Sequence, residues 1–149
     1  MDNGFVVNGL SLPKLLIDLL QNGKWQHPGE EVIRSVIPFL HDPVIIRSLD
    51  GMRFDSSGHL ADNPDDSALF HEVRGSKHQG VVELPWLDVE QAVLIAVNLE
   101  IGADVGIALD YRTSIVDPRV VASEWLPGEH IWREVTPTFS EFIERIGLK

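Results

Sequence analysis

The chain has 149 residues, of which 44% are hydrophobic and 23% are charged, a composition typical of a globular protein and unlike that of disordered, collagenous or membrane chains. Its formal net charge of −11, with only 12 Lys and Arg residues, disfavours binding to nucleic acid or to an anionic membrane surface. It contains no cysteine, which excludes disulfides, thiolate metal sites and cysteine nucleophiles.

The length and the terminal sequence indicate one cytoplasmic domain. A chain of this length typically forms a single folded unit. Its apolar runs fall far short of the roughly 20 residues needed to cross a bilayer. The amino-terminal stretch contains Asp2, Pro13 and Asp18 and lacks the basic and apolar regions of a secretory leader. We therefore expect one domain over residues 1–149, without an interdomain linker.

Two helices are predicted near the amino terminus. Ser11 is the expected N-cap of the first, whose leucines form one apolar stripe and which ends at Gly23. The second extends from about Glu30 to Leu40, with its glutamates at the positive end of the helix dipole. Pro38 is expected to close or kink this second helix.

The middle of the chain is predicted to be largely irregular. A short strand is expected at Val44 to Leu49. The segment 50–67 is rich in Asp, Ser, Gly, Asn and Pro and has little to bury, so we interpret it as a mobile loop. Val81 and Val82 are expected to begin another strand.

A hairpin is predicted at the centre of the fold. Ala92 to Asn98 is nearly continuously apolar, as in a strand that is covered on both faces. A helix capped by Asp88, with Gln91 three residues later, is the alternative. The β-branched residues of this segment favour the strand, and Asp104 to Tyr111 follows the Gly102 turn as its expected partner.

The remaining elements complete an α+β fold. Further strands are expected at Arg119 to Ser123 and at Ile131 to Val135. Thr138 and Glu141 form a capping box that predicts a carboxyl-terminal helix with one apolar face. Gly147 follows this helix in the sequence. The predicted fold is a mostly antiparallel central sheet, with the amino-terminal helices and the capped carboxyl-terminal helix packed on it.

Sequence motifs for catalysis are absent. Neither a glycine-rich phosphate loop nor a G-x-S-x-G nucleophile elbow occurs. Asp104 and Asp110 are candidates for a general acid and base, but a turn residue and a strand-end cap explain them better. We therefore expect a protein without enzymatic activity or cofactor.

A metal site is the competing hypothesis. Potential ligands lie in or beside the predicted loop, at Asp55, His59, Asp62, Asp65, Asp66, His71 and His78. Their spacing matches neither HExxH nor an EF-hand, so we interpret them as solvated loop residues and expect no metal. The alternative is a small metal-dependent enzyme that uses the His and Asp groups of residues 55–78.

Tryptophan and acidic residues suggest a protein-binding surface. Of the tryptophans Trp25, Trp86, Trp125 and Trp132, Trp86 is the one most expected to be exposed, because it lies outside any regular apolar pattern. From Val81 to Tyr111 there are acids but no Lys or Arg. These acids either share one face that suits a basic partner or are scattered as a solvated rim. The candidate partner-binding residues are Glu83, Trp86, Asp88, Glu90, Glu100, Asp104 and Asp110.

The part of the chain from about Leu84 to Leu148 resembles the SUKH superfamily, which includes bacterial toxin-immunity proteins and yeast regulators of cell-wall glucan synthesis. The likeness is carried by the order of short motifs: Ala92 to Ala96, a glycine turn, Ile107 to Tyr111, Pro118 to Val121, Trp132, and Pro137 to Ile143. The resemblance implies an α+β binding module with no catalytic residues.

The resemblance also implies a class of partner. Bacterial members of this superfamily typically neutralise a toxin domain, often a nuclease, by covering it. The negative charge of the chain agrees with this, because nucleases tend to be basic. A structural homo-oligomer is a further alternative, and the sequence leaves the oligomeric state open.

Overall fold

The computed structural model describes residues 4–56, 84, 87–100, 105–127 and 129–148. The helices are α1 (Lys14–Gln21), α2 (Glu30–Val36), α3 (Leu49–Phe54) and α4 (Phe139–Ile146). The strands are β1 (Val6–Val7), β2 (Leu10–Ser11), β3 (Val44–Ile46), β4 (Ala92–Asn98), β5 (Gly106–Asp110), β6 (Arg119–Leu126) and β7 (Glu129–Thr136). The predicted α+β class is confirmed.

The predicted N-cap of the first helix is wrong. Ser11 pairs with Val6 in a small antiparallel hairpin, whose turn residues Asn8 and Gly9 have positive φ angles of 54° and 76°. Such a turn matches the twist of the two flanking strands. Helix α1 begins only after Pro13, whose fixed φ suits the start of a helix.

Two helix boundaries follow from backbone chemistry. Gly23, just after α1, has a φ of 68°, as expected for the left-handed residue that ends a helix. Helix α2 stops at Val36 and is shorter than predicted, because Pro38 disfavours helical geometry in the residue before it. Ile37 accordingly has a φ of −125°.

Part of the predicted mobile loop is helical. Strand β3 ends at Ile46, earlier than expected, and the Ser48 hydroxyl accepts a hydrogen bond from Gly51 N at 3.1 Å to cap α3. The prediction of an irregular segment from residue 50 is therefore wrong for residues 50–56. Residues 57–67 lie outside the described part of the chain, as does the strand predicted at residues 81–82.

The described strands β3 to β7 form one antiparallel sheet in the order β3-β4-β5-β6-β7. The strand prediction for Ala92 to Asn98 and its hairpin with β5 are confirmed. The competing helix signal is real but brief: Asp88 caps a single 3₁₀ turn over Val89–Gln91. Strands β6 and β7 extend beyond their predicted bounds.

Both faces of β4 are buried. A register shift between Leu94 and Ala96 places a bulge in β4, so Ile95 and Ala96 both join the larger core while Leu94 and Val97 join the smaller one. The larger core is formed with α1, α2 and α4 and contains the fully buried side chains of Leu16, Ile33, Phe139 and Phe142. The smaller core lies on the opposite face and centres on Trp132.

The carboxyl-terminal helix starts as predicted. The Thr138 hydroxyl accepts a hydrogen bond from Glu141 N at 3.2 Å, and Gly147 ends α4 in the left-handed conformation. The buried side chains of α4 pack on the sheet through Phe139, Phe142, Ile143 and Ile146. Within the described residues, all helices are too short and too polar to traverse a bilayer.

Candidate functional site

The predicted acidic face is only partly within the described residues. Glu83, Trp86 and Asp104 lie outside them. Asp88 uses its carboxylate within the chain, accepting hydrogen bonds from Glu90 N at 3.1 Å and from Gln91 Nε2 at 3.2 Å.

Two exposed acids of the predicted face lie far apart. Glu90 precedes β4 and Glu100 follows it, so the seven residues of the strand separate them by roughly 20 Å. The structure therefore does not bring Glu90 and Glu100 together.

Asp110 corrects the prediction of an exposed acidic residue. It is the last residue of β5 and its side chain is 0% exposed. Its Oδ1 accepts hydrogen bonds from the backbone N and the Nε of Arg112, at 3.1 and 2.8 Å. Its Oδ2 accepts from Arg112 Nη2 at 2.8 Å and from Arg119 Nε at 2.9 Å. Asp110 is thus the centre of a buried ion-pair cluster and is inaccessible to a partner.

The charge cluster shifts the pKa of Asp110. Burial alone would raise this pKa, but the hydrogen bonds and the charge of Arg112, together with the hydrogen bond from Arg119, outweigh burial and lower it. Arg119 also reaches Glu134 on β7, at 3.4 Å. The carboxylate of Asp110 is therefore held in its charged form and does not fit the role of a general acid.

The neighbouring Tyr111 fixes the start of the β5–β6 loop, residues 111–118. Its hydroxyl donates a hydrogen bond to Ser11 O at 2.9 Å, and its backbone N donates to Gln91 O at 2.9 Å. Burial raises the pKa of the Tyr111 hydroxyl well above its usual range. The tyrosine therefore stays neutral and ties the loop to the β1–β2 hairpin.

The middle of the β5–β6 loop is a compact turn. The hydroxyl of Ser114 accepts hydrogen bonds from Val116 N at 3.2 Å and from Asp117 N at 3.0 Å. Asp117 Oδ1 in turn accepts from Ser140 N at 3.0 Å, in the first turn of α4. A carboxylate at this end of a helix is also favoured by the helix dipole. Side-chain hydrogen bonds therefore hold the loop at both its turn and its exit.

The tip of this rigid loop presents two apolar side chains to solvent. Ile115 is 76% exposed and Val116 is 75% exposed. Sequence reasoning missed them because they lie outside any predicted element. The sequence did contain a signal for them. Two β-branched residues stand between Ser114 and the pair Asp117-Pro118, and Ser, Asp and Pro are residue types typical of a surface turn, in which apolar side chains face solvent.

A groove lies beside the loop tip. It has a volume of about 350 Å³ and is bounded by the start of α1, by Val116 and Asp117, and by Ser140. Leu15 and Pro13 contribute apolar surface to it, while Asp18 contributes a carboxylate. The tip and the groove, which Lys14 also lines, together form a continuous surface of apolar and charged groups, which we call the loop surface.

A second groove of about 410 Å³ lies at the other end of α1. Leu20, Ile46 and the half-buried Trp25 line it, and the Trp25 indole donates a hydrogen bond to Arg47 O at 2.9 Å. The Trp25 ring also packs near Phe139, with centroids 6.2 Å apart. Trp25 thus serves the packing between the start of α4 and the edge of the sheet.

The candidate metal ligands are mostly outside the described residues. Asp55 is described, and it is buried against Arg47, with Oδ2 2.7 Å from Nε. The described ranges hold no group of three or more His, Cys, Asp or Glu residues arranged to bind a metal ion. His59, His71 and His78 and the aspartates between residues 62 and 66 lie outside those ranges.

Comparisons of the chain with protein-family models, with curated proteins and with solved structures found no match. The resemblance to the SUKH superfamily stays a prediction from the sequence.

Proposed function

We propose that this chain is a protein-binding module that recognises a basic protein through the loop surface. The observation that carries the proposal is the exposure of Ile115 and Val116, at 76% and 75%, on a loop whose backbone is held by Ser114 and Asp117. Large apolar groups that protrude from a fixed loop are a common form of interaction site.

The rigidity of the loop supports binding energetically. Association costs free energy for every segment that must be ordered, and a loop that is already ordered avoids that cost. The β-branched side chains of Ile115 and Val116 have few rotamers to lose. Full burial of one such side chain contributes about 1.5–3 kcal/mol, so a pair suffices to form a binding hot spot.

The charge of the chain supports a basic partner. Apart from Arg34, each described arginine has a carboxylate of the same chain within ion-pairing distance; they are Arg47, Arg53, Arg112, Arg119, Arg133 and Arg145. Exposed acids such as Glu90 and Glu100 add to the net charge of −11. A field of this sign accelerates encounter with a positively charged protein and slows encounter with another copy of the chain.

In its narrower form, the proposal is an immunity-type or related regulatory role, in which the partner is a toxin domain such as a nuclease. This form rests on the sequence resemblance to the SUKH superfamily and on charge complementarity. It implies that the protein acts by covering its partner and contributes no catalytic group.

A displayed library of protein fragments from the source organism, selected on the immobilised chain, tests the proposal. The affinity of each selected fragment is then measured for the chain and for the double variant Ile115→Ser with Val116→Ser. We expect the double variant to bind at least about 30-fold more weakly, the equivalent of about 2 kcal/mol.

Leu99 provides the matched control. It is an exposed apolar residue, at 57%, just after the opposite end of β4, so Leu99→Ser removes a similar group without touching the loop surface. Equal binding by the loop variant and the wild type, or an equal loss in the Leu99→Ser control, contradicts the proposal.

A further inference from the structure

The groove of the loop surface has one negative charge in excess. Asp18 and Asp117 line it together with Lys14, whose Nζ lies 2.6 Å from Asp18 Oδ1. This ion pair is exposed, with 75% of the Lys14 side chain and 43% of the Asp18 side chain accessible, so it is weak and easily exchanged. The Oδ1 of Asp117 accepts a hydrogen bond from Ser140 N at 3.0 Å.

Beside these charged groups, the groove has an apolar lining. Pro13 and Leu15 line it on the α1 side, and Val116 lines it on the loop side. Lysine and arginine are the side chains that combine a long apolar stem with a cationic head. Such a side chain fits this arrangement, since its stem can pack on the apolar wall while its head reaches the carboxylates.

Building on the proposed function, we infer that this groove is the subsite for a lysine or arginine side chain of the basic partner protein. Val116 belongs both to the exposed tip and to the groove wall, so the same partner covers both. The partner therefore presents a basic side chain beside an apolar pocket that receives the loop tip. A second copy of the chain is disfavoured as occupant because both copies carry a charge of −11.

A random peptide library displayed on phage tests this subsite. Peptides are selected in parallel on the wild-type chain and on the double variant Asp18→Asn with Asp117→Asn, in which the asparagine at residue 117 retains an oxygen acceptor for Ser140 N. We expect peptides from the wild type to combine Lys or Arg with aliphatic residues. On the variant, Lys and Arg are expected to fall to their frequency in the unselected library.

The control removes two charges elsewhere. Glu31→Gln with Glu100→Gln changes two exposed acids outside the groove and is expected to leave the selected sequences unchanged. A synthetic peptide from the wild-type selection is expected to bind Asp18→Asn with Asp117→Asn about tenfold more weakly, with a smaller dependence on salt.

The outcomes separate this inference from the proposed function. Peptides that are lost on Ile115→Ser with Val116→Ser, but that carry no excess of Lys or Arg or bind the groove variant equally well, overturn the subsite and leave the binding module standing. Selection that is indifferent to the Ile115 and Val116 substitutions overturns the proposed function and the subsite together.

Discussion

Replacement of Asp110 by asparagine tests whether the buried ion-pair cluster stabilises the fold. The substitution keeps the size of the side chain but removes the charge that faces two guanidinium groups. Arg112 and Arg119 have side chains only 13% and 14% exposed, so water can compensate them only in part. Removing one partner of a buried pair typically costs 3–5 kcal/mol, and this partial access to solvent favours the lower end, about 3 kcal/mol.

The assay is urea unfolding followed by the fluorescence of the four tryptophans, among them the buried Trp132. In a thermal melt of a chain of this length, the same loss of about 3 kcal/mol lowers Tm by about 10 °C. Glu90→Gln is the matched control, because Glu90 is an exposed acid near the same end of the sheet. Its effect is expected to remain within about 0.5 kcal/mol.

The pH dependence gives a second readout. The folded pKa of Asp110 lies below its ordinary value of 3.8. The stability contributed by its charge is therefore fully present above that value and is lost as the pH falls through the folded pKa. The difference in the free energy of unfolding between the wild type and Asp110→Asn should thus be constant from pH 6 to 8 and shrink below about pH 4. A stabilising role for the cluster is refuted if Asp110→Asn loses less than about 1 kcal/mol in the free energy of unfolding at neutral pH. It is also refuted if the difference from the wild type is undiminished at low pH.

Two further predictions concern the smaller core. A Cβ added at Gly106 would lie 3.2 Å from Ala96 O and 3.3 Å from Leu94 Cδ2. Gly106→Val should therefore cost about 1–3 kcal/mol in the free energy of unfolding. Gly4→Val is the control and should have little effect, because a Cβ added at Gly4 has no atom within 4 Å. Ser56 Oγ accepts a hydrogen bond from Leu94 N at 3.0 Å, at the bulge of β4. Ser56→Ala should therefore cost about 1–3 kcal/mol, and unchanged urea unfolding would contradict this role.

Local sequence signals correctly predicted those elements for which the hydrophobic pattern and the residue types favour the same structure. The capped helix α4 and the apolar strand β4 formed as expected, because capping and periodicity both indicated α4, and the β-branched content of β4 favoured a strand over the alternative helix. The sequence could not show the bulge at Ile95, which places Ile95 and Ala96 in the same core and so interrupts the alternation of side chains along β4. Composition gave the wrong prediction at the start of the segment rich in turn residues, because one N-cap residue, Ser48, is enough to begin a helix there.

The candidate site was harder to predict because its contacts depend on register. Asp110 lies opposite Arg119 only because the loop closes the β5–β6 hairpin in that register, which converts an apparently exposed acid into a buried one. The sequence contains the hint that Arg112 and Arg119 follow an apolar strand that ends in Asp110. The anchor between Asp117 and Ser140 joins residues 23 positions apart and has no local pattern.

Stability and binding are carried by different residues of the β5–β6 connection, Asp110 at the end of β5 and the apolar pair at the loop tip, and this makes the proposals separable. Ile115 and Val116 are about three-quarters exposed, so replacing them removes little buried surface, and unfolding should be nearly unchanged while binding falls. Asp110 is fully buried, so its loss lowers the stability of the fold and also removes the carboxylate that holds Arg112 at the start of the loop. A variant that unfolds like the wild type and still fails to bind therefore identifies the loop tip, and not the scaffold, as the part that meets the partner.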